Sequence, residues 1–215
     1  YTNNAEELVE ILSKSSFAQL QNMDLQKYHV KPNKQYSFNN VVFELQFNHI
    51  LTSLHQSVKT NGGTYSQQKY EQYSLDLIPE FIQFRKRVDL QTQQITEKIV
   101  KLTISKTDLS NGKLGSDVRF QQSVELPFAG DVTVGKSFRT RHSFVFTKGQ
   151  TKIQFDLTEI IIEEEVIRQV EAEVDGPDLE WFSLEVLALS QLKADVIKPL
   201  AGVQKGGVKD DGMYD

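Results

Sequence analysis

The segment Gln169–Val174 reads Q-V-E-A-E-V. Side chains alternate across a β-strand, so Glu171 and Glu173 lie on one face of this segment and small apolar side chains lie on the other. If the acidic face meets solvent, the segment is an ordinary surface strand. If several such faces turn inward in a closed sheet, they form a site for a metal ion and a polyanion. The neighbouring segments bear on this choice.

The same alternation recurs in three earlier segments, Asp117–Leu126, Phe138–Phe146 and Thr151–Ile162. Because charges of both signs recur, they could neutralise one another inside a closed sheet, where unpaired charge would be very costly. The pattern alone leaves both arrangements open, a charged interior and a solvated face, and the balance of signs is what makes the interior arrangement feasible. The polar faces carry Asp117, Arg119, Gln121, Ser123 and Glu125; Arg139, Arg141 and Ser143; and Lys152, Gln154, Asp156 and Thr158.

Apolar periodicity predicts about eight strands in one run, with helices before, between and after them. We expect a mainly β (α+β) fold: an eight-stranded antiparallel barrel with a hydrophilic interior and helices packed outside. An open antiparallel sheet with a wet charged face is the alternative. The other strands predicted are Val41–Phe47, Tyr70–Ile78, Phe81–Leu90 and Ile95–Ile104, and the helices are Ala5–Leu20, Asn48–Lys59 and Leu179–Val196.

The chain has 215 residues, which suits one domain. We expect this domain to span 1–200, with core strands at about 41–175, a C-terminal helix at about 178–196 and a flexible tail at 201–215. No apolar run reaches the ~18 residues of a membrane span. The N-terminus does not resemble a signal peptide, and because it starts at Tyr1 rather than Met we expect the chain to be trimmed.

Charge and cysteine content limit the possible functions. The net charge is -5, so any contact with a nucleic acid must be local rather than spread over the surface. The chain has no cysteine, which excludes disulfides and thiolate metal sites and favours an intracellular location. Its four histidines lack metal-ligand spacing, and it contains no P-loop, dinucleotide-binding or nucleophile-elbow motif.

The ordered set of motifs resembles the metal-dependent RNA 5′-triphosphatases of fungal, protozoal and viral mRNA capping, the triphosphate tunnel metalloenzymes. The similarity covers roughly residues 41–175. It rests on D-V-R-F-Q-Q-S-V-E-L-P (Asp117–Pro127), R-T-R-H-S-F (Arg139–Phe144), T-K-I-Q-F-D-L-T-E-I (Thr151–Ile160) and Q-V-E-A-E-V. Weaker matches run through Phe81–Asp89 and Ile95–Val100.

The resemblance implies an eight-stranded tunnel that removes the γ-phosphate from 5′-triphosphate RNA with Mn²⁺ or Mg²⁺. It implies metal ligands at Glu44, Glu171 and Glu173. Phosphate-binding side chains would be Arg85, Arg87, Lys98, Arg119, Arg139, Arg141 and Lys152. The catalytic set would be Glu125, Arg139, Arg141, Lys152 and Asp156, with Glu125 orienting the attacking water. Gln46 stands where the family has a second glutamate, which should lower cation affinity and rate.

The resemblance also implies a nuclear location and partners in an RNA guanylyltransferase and the RNA polymerase II apparatus, with a homodimer as one possible assembly. Two other functions stay open at this point. The chain could hydrolyse another polyphosphate or a nucleoside triphosphate. It could also be a non-catalytic interaction module of the same fold in a transcription complex.

Overall fold

The computed structural model describes residues 35–111 and 116–196. Within these ranges, the side chains of residues 35, 104, 108–111 and 116–120 are not described. The predicted helix Ala5–Leu20 and the predicted tail at 201–215 lie outside the described residues.

Eight antiparallel strands close into one barrel, in the order β1-β5-β4-β3-β2-β6-β7-β8. Each strand pairs with two neighbours, so the described sheet has no free edge. The expected mainly β barrel is confirmed, and the open sheet is not what forms. The strands are β1 (Gln35–Val42), β2 (Thr64–Ile78), β3 (Ile82–Asp89), β4 (Ile95–Asn111), β5 (Ser116–Pro127), β6 (Ser137–Lys148), β7 (Thr151–Ile162) and β8 (Glu165–Asp175).

Two helices, α1 (Glu44–Asn61) and α2 (Leu179–Ala194), pack against one side of the barrel. Their buried side chains meet the apolar outward faces of β1, β6, β7 and β8 in one core. The carboxylate of Asp178 begins α2 by accepting a hydrogen bond from the backbone N–H of Trp181 at 2.9 Å. This core includes Phe38, Val42, Phe47, Ile50, Leu54, Phe144, Phe155, Leu157, Val170, Ala172, Phe182 and Val186. No described helix has the length and apolar character needed to cross a membrane.

A second apolar core covers the outward faces of β3, β4 and β5. It is closed by the loop after β5, which contributes the buried Val132 and the partly buried Phe128. Because alternate side chains of these strands are used for the two outer cores, the remaining alternate set points into the barrel. The barrel therefore has apolar material outside and polar material inside.

The first strand differs from the prediction. We expected a strand at Val41–Phe47, but β1 ends at Val42 and α1 begins at Glu44. Glu, Leu and Gln are good helix formers, and the side-chain oxygen of Gln46 accepts from the backbone N–H of Phe43 at 3.2 Å, which stabilises the first turn. The alternation seen in V-V-F-E-L-Q-F therefore runs into a helix rather than continuing the strand.

This difference overturns Glu44 as a metal ligand. Glu44 lies in the first turn of α1, outside the barrel and 67% exposed, with Oε1 3.9 Å from Arg168 Nη2. Gln46 is buried between the helices, where its amide donates to the backbone oxygens of Lys193 at 2.9 Å and Val196 at 3.2 Å. Gln46 thus holds the end of α2, and its replacement by Glu would not restore a ligand.

Two phenylalanines on the outer face of β6, Phe144 and Phe138, test how the helices pack against the barrel. Phe144 is fully buried, with ring centroids of Tyr65 and His55 at 5.0 and 4.9 Å, whereas Phe138 on the same outer face is 43% exposed. Phe144→Ala should lower the free energy of unfolding by about 3–5 kcal/mol, because it removes apolar burial and leaves a cavity. Phe138→Ala should cost less than about 1.5 kcal/mol. Urea unfolding measures both, and equal losses would contradict the burial of Phe144 in the core shared with the helices.

Candidate active site in the barrel interior

The interior of the barrel carries charged side chains of both signs from most of its strands. The strand register places Arg85 and Arg87 of β3 beside Glu97 of β4, and Ser143 of β6 beside Asp156 of β7. These positions alternate with the outward apolar ones described above, so their side chains point into the lumen. The described interior set also contains Lys101, Glu125, Arg139, Arg141, Thr158, Glu171 and Glu173, together with the neutral Ser37, Asn39, Tyr70 and Gln72.

One part of the interior is an internally paired network around Arg85. Its guanidinium donates to both oxygens of Glu97, at 2.9 and 3.2 Å, and to Glu125 Oε1 at 3.1 Å. Burial acts to raise the pKa of Glu97, but Arg85 and Arg87 outweigh it, so this pKa is lowered. Arg85 is thus satisfied by carboxylates, and its contact holds Glu125 in place.

Arg87 continues this network toward the centre. Its Nε donates to Gln72 Oε1 at 3.0 Å and lies 3.1 Å from Glu97 Oε2. Burial, with repulsion from Arg85 and Arg141, lowers the pKa of Arg87 to about 10. Arg85 and Arg141 thus place further positive charge beside Arg87, where an additional anion would reduce the repulsion.

Arg139 and Arg141 of β6 form a second part with no described carboxylate partner. Arg139 donates through Nε to Ser137 Oγ at 3.1 Å, and burial lowers the pKa of its guanidinium. The Nε of Arg141 is buried and has no hydrogen-bond partner among the described residues. Two inward guanidiniums without an ion pair are ready to bind an anion from solution.

The neighbouring interior face of β7 and β8 is an acidic wall, made by Asp156, Glu171 and Glu173. Glu171 Oε1 accepts from Asn39 Nδ2 at 2.9 Å. Asp156, which is 4% exposed, accepts from Ser143 Oγ at 2.6 Å and from Gln154 Nε2 at 3.0 and 3.1 Å. Burial, with repulsion from Glu171 and Asp156, raises the pKa of Glu173 to about 7. Negative charge is crowded at this wall, which suits a cation.

Comparison with solved structures identifies this architecture. RNA triphosphatase Pct1 of S. pombe superposes with a TM-score of 0.58 at 12% identity, over 81% of this chain and 92% of that one. The Mimivirus capping enzyme triphosphatase gives a TM-score of 0.51 at 14% identity, over 89% and 98%. The chain has the fold of the RNA triphosphatases. The tunnel fold that the sequence resemblance implied is confirmed.

A second structure of Pct1, in complex with the Spt5 CTD, superposes with a TM-score of 0.54 at 13% identity, over 73% of this chain and 78% of that one. No protein-family model matches the sequence, and no curated protein matches it either. The similarity to RNA triphosphatases therefore lies in the fold, and the interior residues have to be interpreted from their own geometry.

The triphosphatase-like tunnel gathers most of the predicted site residues. Arg85, Arg87, Glu125, Arg139, Arg141, Asp156, Glu171 and Glu173 all occupy interior positions. Lys152 lies on the same face of β7 as Asp156, but its side chain is exposed, close to the turn that joins β6 and β7. The side chain of Arg119 is outside the described residues.

Lys98 is a wrong prediction. It lies opposite Lys86 in the register, on the outward face, and contributes to the lowered pKa of the exposed Asp131. The inward lysine of β4 is Lys101, which pairs in register with Glu125 and acts to lower the pKa of Glu173. The sequence held a signal for this choice, because Val100 and Leu102 share the face of Lys98 and mark it as the outer one.

Glu97, Tyr70 and Asn39 were also missed by the sequence interpretation. Glu97 shares the face of Lys101, so the same signal would have found it. Asn39 and Ser37 are the inward residues of β1, opposite Glu171 and Glu173. They are neutral and short, so charge alternation could not identify them.

The acidic wall fits a hard divalent cation only in part. In the described residues, no three His, Cys, Asp or Glu side chains are grouped closely enough to hold a metal ion. Glu171 and Glu173 nevertheless supply two carboxylates, and the Asn39 amide lies beside them. Mg²⁺ is commonly held by one or two carboxylates together with substrate phosphates and water. The residues therefore fit a cation that the substrate helps to bind.

Crowding at Glu173 predicts a pH-dependent stability. Its pKa is 4.5 in the unfolded chain and about 7 in the fold, so the folded state holds the proton more tightly. The free energy of unfolding should therefore fall as pH rises from about 4.5 to 7, by roughly 3 kcal/mol at most, and then level off. Urea unfolding with a metal chelator present measures this slope.

Glu173→Gln should remove this slope and make the protein more stable than the wild type at pH 8, by about 1–3 kcal/mol. Glu164→Gln, at an exposed position between β7 and β8, is the control and should leave the slope unchanged. A wild-type stability that stays level between pH 4.5 and 7 would be inconsistent with a crowded Glu173.

Proposed function

We propose that this protein is a metal-dependent RNA 5′-triphosphatase that removes the γ-phosphate from 5′-triphosphate RNA, the first step of mRNA capping. The observation that supports it most is the pair Arg139 and Arg141, inside a closed barrel without a described carboxylate partner. They share the lumen with the acidic wall of Glu171 and Glu173. A polyanion accompanied by a cation would satisfy both parts at once.

The reaction is a hydrolysis. Water attacks the γ-phosphorus, the bond from that phosphorus to the β–γ bridging oxygen breaks, and inorganic phosphate and a diphosphate end are released. Arg139 and Arg141 would bind the non-bridging oxygens and stabilise the charge that develops on them. Two lysines would hold other oxygens of the triphosphate. Lys101 lies opposite Glu125 in the register, and Lys152 lies at the start of β7.

Glu125 is the candidate for orienting the water. Arg85 holds its Oε1 at 3.1 Å, and the side chain keeps 36% of its exposure. Its other oxygen, Oε2, can therefore accept a proton from a water placed beside the γ-phosphorus. Asp156 is held by Ser143 and Gln154, so its role is to fix the geometry of the acidic wall.

Glu171 and Glu173 would hold the Mn²⁺ or Mg²⁺. When bound, the ion neutralises charge on the triphosphate oxygens. Its requirement for oxygen ligands explains why two carboxylates of like charge are kept together in the interior.

A capping role places the protein in the nucleus, with an RNA guanylyltransferase and the RNA polymerase II apparatus as partners. Support for this comes from the folds it resembles: the Mimivirus structure is of a capping enzyme triphosphatase, and Pct1 was solved with the Spt5 CTD. We also keep a homodimer as part of the proposal, with its surface unassigned.

The direct test is release of γ-phosphate from 5′-triphosphate RNA in the presence of Mn²⁺ or Mg²⁺. Arg141→Met should lower kcat by about 100- to 1000-fold, because it removes a charged donor that acts on the transition state. Lys98→Met, which removes a cation from the outer face, is the matched control and should leave kcat unchanged. Thermal unfolding verifies that both variants fold.

The result also separates the other functions. Release from inorganic tripolyphosphate or a nucleoside triphosphate but not from RNA would assign a different polyphosphate substrate. No release from any of them, by a wild-type protein that is folded and supplied with Mn²⁺, would overturn the enzymatic proposal and favour the interaction module.

The neutral first strand predicts how the metal binds. Because β1 contributes Ser37 and Asn39 rather than carboxylates, Mn²⁺ alone should bind weakly, and at least about tenfold more tightly once tripolyphosphate is present. Asn39→Asp should raise affinity for Mn²⁺ alone, since it adds a third carboxylate next to Glu171. Electron paramagnetic resonance of free Mn²⁺ measures both. Tight binding of Mn²⁺ to the wild type without any phosphate would contradict this account.

A further inference from the structure

Tyr70 is the largest fully buried side chain of the barrel, yet it lies on the polar interior face of β2. In the register it is opposite Arg139 of β6. Its ring centroid is 5.0 Å from Cζ of Arg87 and 5.3 Å from Cζ of Arg141. The ring therefore makes a favourable cation–π contact with each of these two guanidiniums.

The hydroxyl of Tyr70 is buried and has no hydrogen-bond partner in the described part of the chain. Five further buried groups of the described residues share this condition, and two of them lie on the interior face of the barrel: Nε of Arg141 and Oγ1 of Thr158. Arg141 and Thr158 are opposite each other in the register. Buried polar groups in native proteins are almost always hydrogen-bonded, so three together indicate a missing partner.

The chemistry of these groups defines that partner. An arginine Nε–H can only donate, while the two hydroxyls can donate or accept. A partner that satisfies all of them must therefore be an acceptor. With Arg87, Arg139 and Arg141 around it, the site favours an acceptor that is an anion.

We infer that the Tyr70 hydroxyl donates a hydrogen bond to a non-bridging oxygen of the bound triphosphate, so that Tyr70 is a further substrate-binding residue of this site. This inference rests on the proposed function. Tyr70 would add a neutral donor where a further guanidinium would raise repulsion within the arginine cluster. Its ring would fix the separation of Arg87 and Arg141, which sets where the phosphate oxygens lie.

The variant Tyr70→Phe tests this inference, since it keeps the ring and removes only the hydroxyl. Inorganic tripolyphosphate is the probe, and calorimetry with Mn²⁺ present gives its Kd. Tyr70→Phe should weaken binding by about 10- to 100-fold, the effect of losing a hydrogen bond to a charged group. Its melting temperature should stay the same or rise, because the variant no longer buries a hydroxyl without a partner.

The matched control is Tyr73→Phe. Tyr73 donates its hydroxyl to Glu71 Oε2 at 2.9 Å on the outer face, so its loss should leave the Kd for tripolyphosphate unchanged. A second measurement follows the tyrosines directly by nuclear magnetic resonance. In wild-type protein with ¹³Cζ-labelled tyrosine, one resonance should shift when tripolyphosphate is added. The spectrum of Tyr70→Phe assigns it, because that resonance should be absent there.

The outcomes are distinct. If the wild type binds tripolyphosphate and Tyr70→Phe binds it equally well with no shifted resonance, a buried water satisfies the hydroxyl and the inference is wrong, while the proposed function stands. If the wild type neither binds tripolyphosphate nor releases phosphate from RNA, the proposed function fails and Tyr70 loses its role with it. Weakened binding in Tyr70→Phe but not in Tyr73→Phe supports both.

Discussion

The contact of Arg85 with Glu97 and Glu125 is the interaction on which the interior depends. A closed barrel lined by charge is stable only if most of that charge is compensated, because an isolated buried ion is far more costly than a buried pair. Arg85 reaches from β3 to β4 with two hydrogen bonds and on to β5 with a third, so it also fixes the relative position of three strands. The apolar outer cores close the barrel, and this network makes a charged lumen compatible with that closure.

Charge compensation in the interior is incomplete in two places, and these are the places where a ligand could bind. Arg139 and Arg141 keep positive charge with no described carboxylate bonded to them, while Glu171 and Glu173 keep negative charge on β8. Mutual neutralisation between these groups would have produced an inert interior. No ion pair joins them among the described residues, so one surface is left for an anion and another for a cation, which is the arrangement that a metal-bound polyphosphate requires. Burial, with repulsion from neighbouring like charges, raises the pKa of Glu173 and lowers the pKa of Arg87.

The barrel could be predicted from sequence because every strand from Tyr70 to Asp175 alternates, and alternation fixes which residues share a face. What alternation does not fix is which face is inside. Lys98 was placed wrongly for this reason, and only its neighbours Val100 and Leu102, packed in an outer core, decide the matter. The first strand failed for another reason: V-V-F-E-L-Q-F alternates, but a helix core at Phe47, Ile50 and Leu54 begins within it, and tertiary packing overrode the local pattern.

Moving the first strand has a chemical consequence, because it places Ser37 and Asn39, rather than the expected Glu44 and Gln46, opposite Glu173 and Glu171. Asn39 already donates to Glu171 at 2.9 Å, so its amide supplies part of the compensation that a cation would otherwise give. Repulsion in the lumen is thereby lower than with a further carboxylate at this position, and the lumen depends less on a resident ion. Since two carboxylates cannot complete the shell of a hard cation, the remaining ligands have to come from water and from phosphate. Under the proposed function, metal and substrate would therefore bind together, coupled through the phosphate oxygens that both parts of the interior would contact.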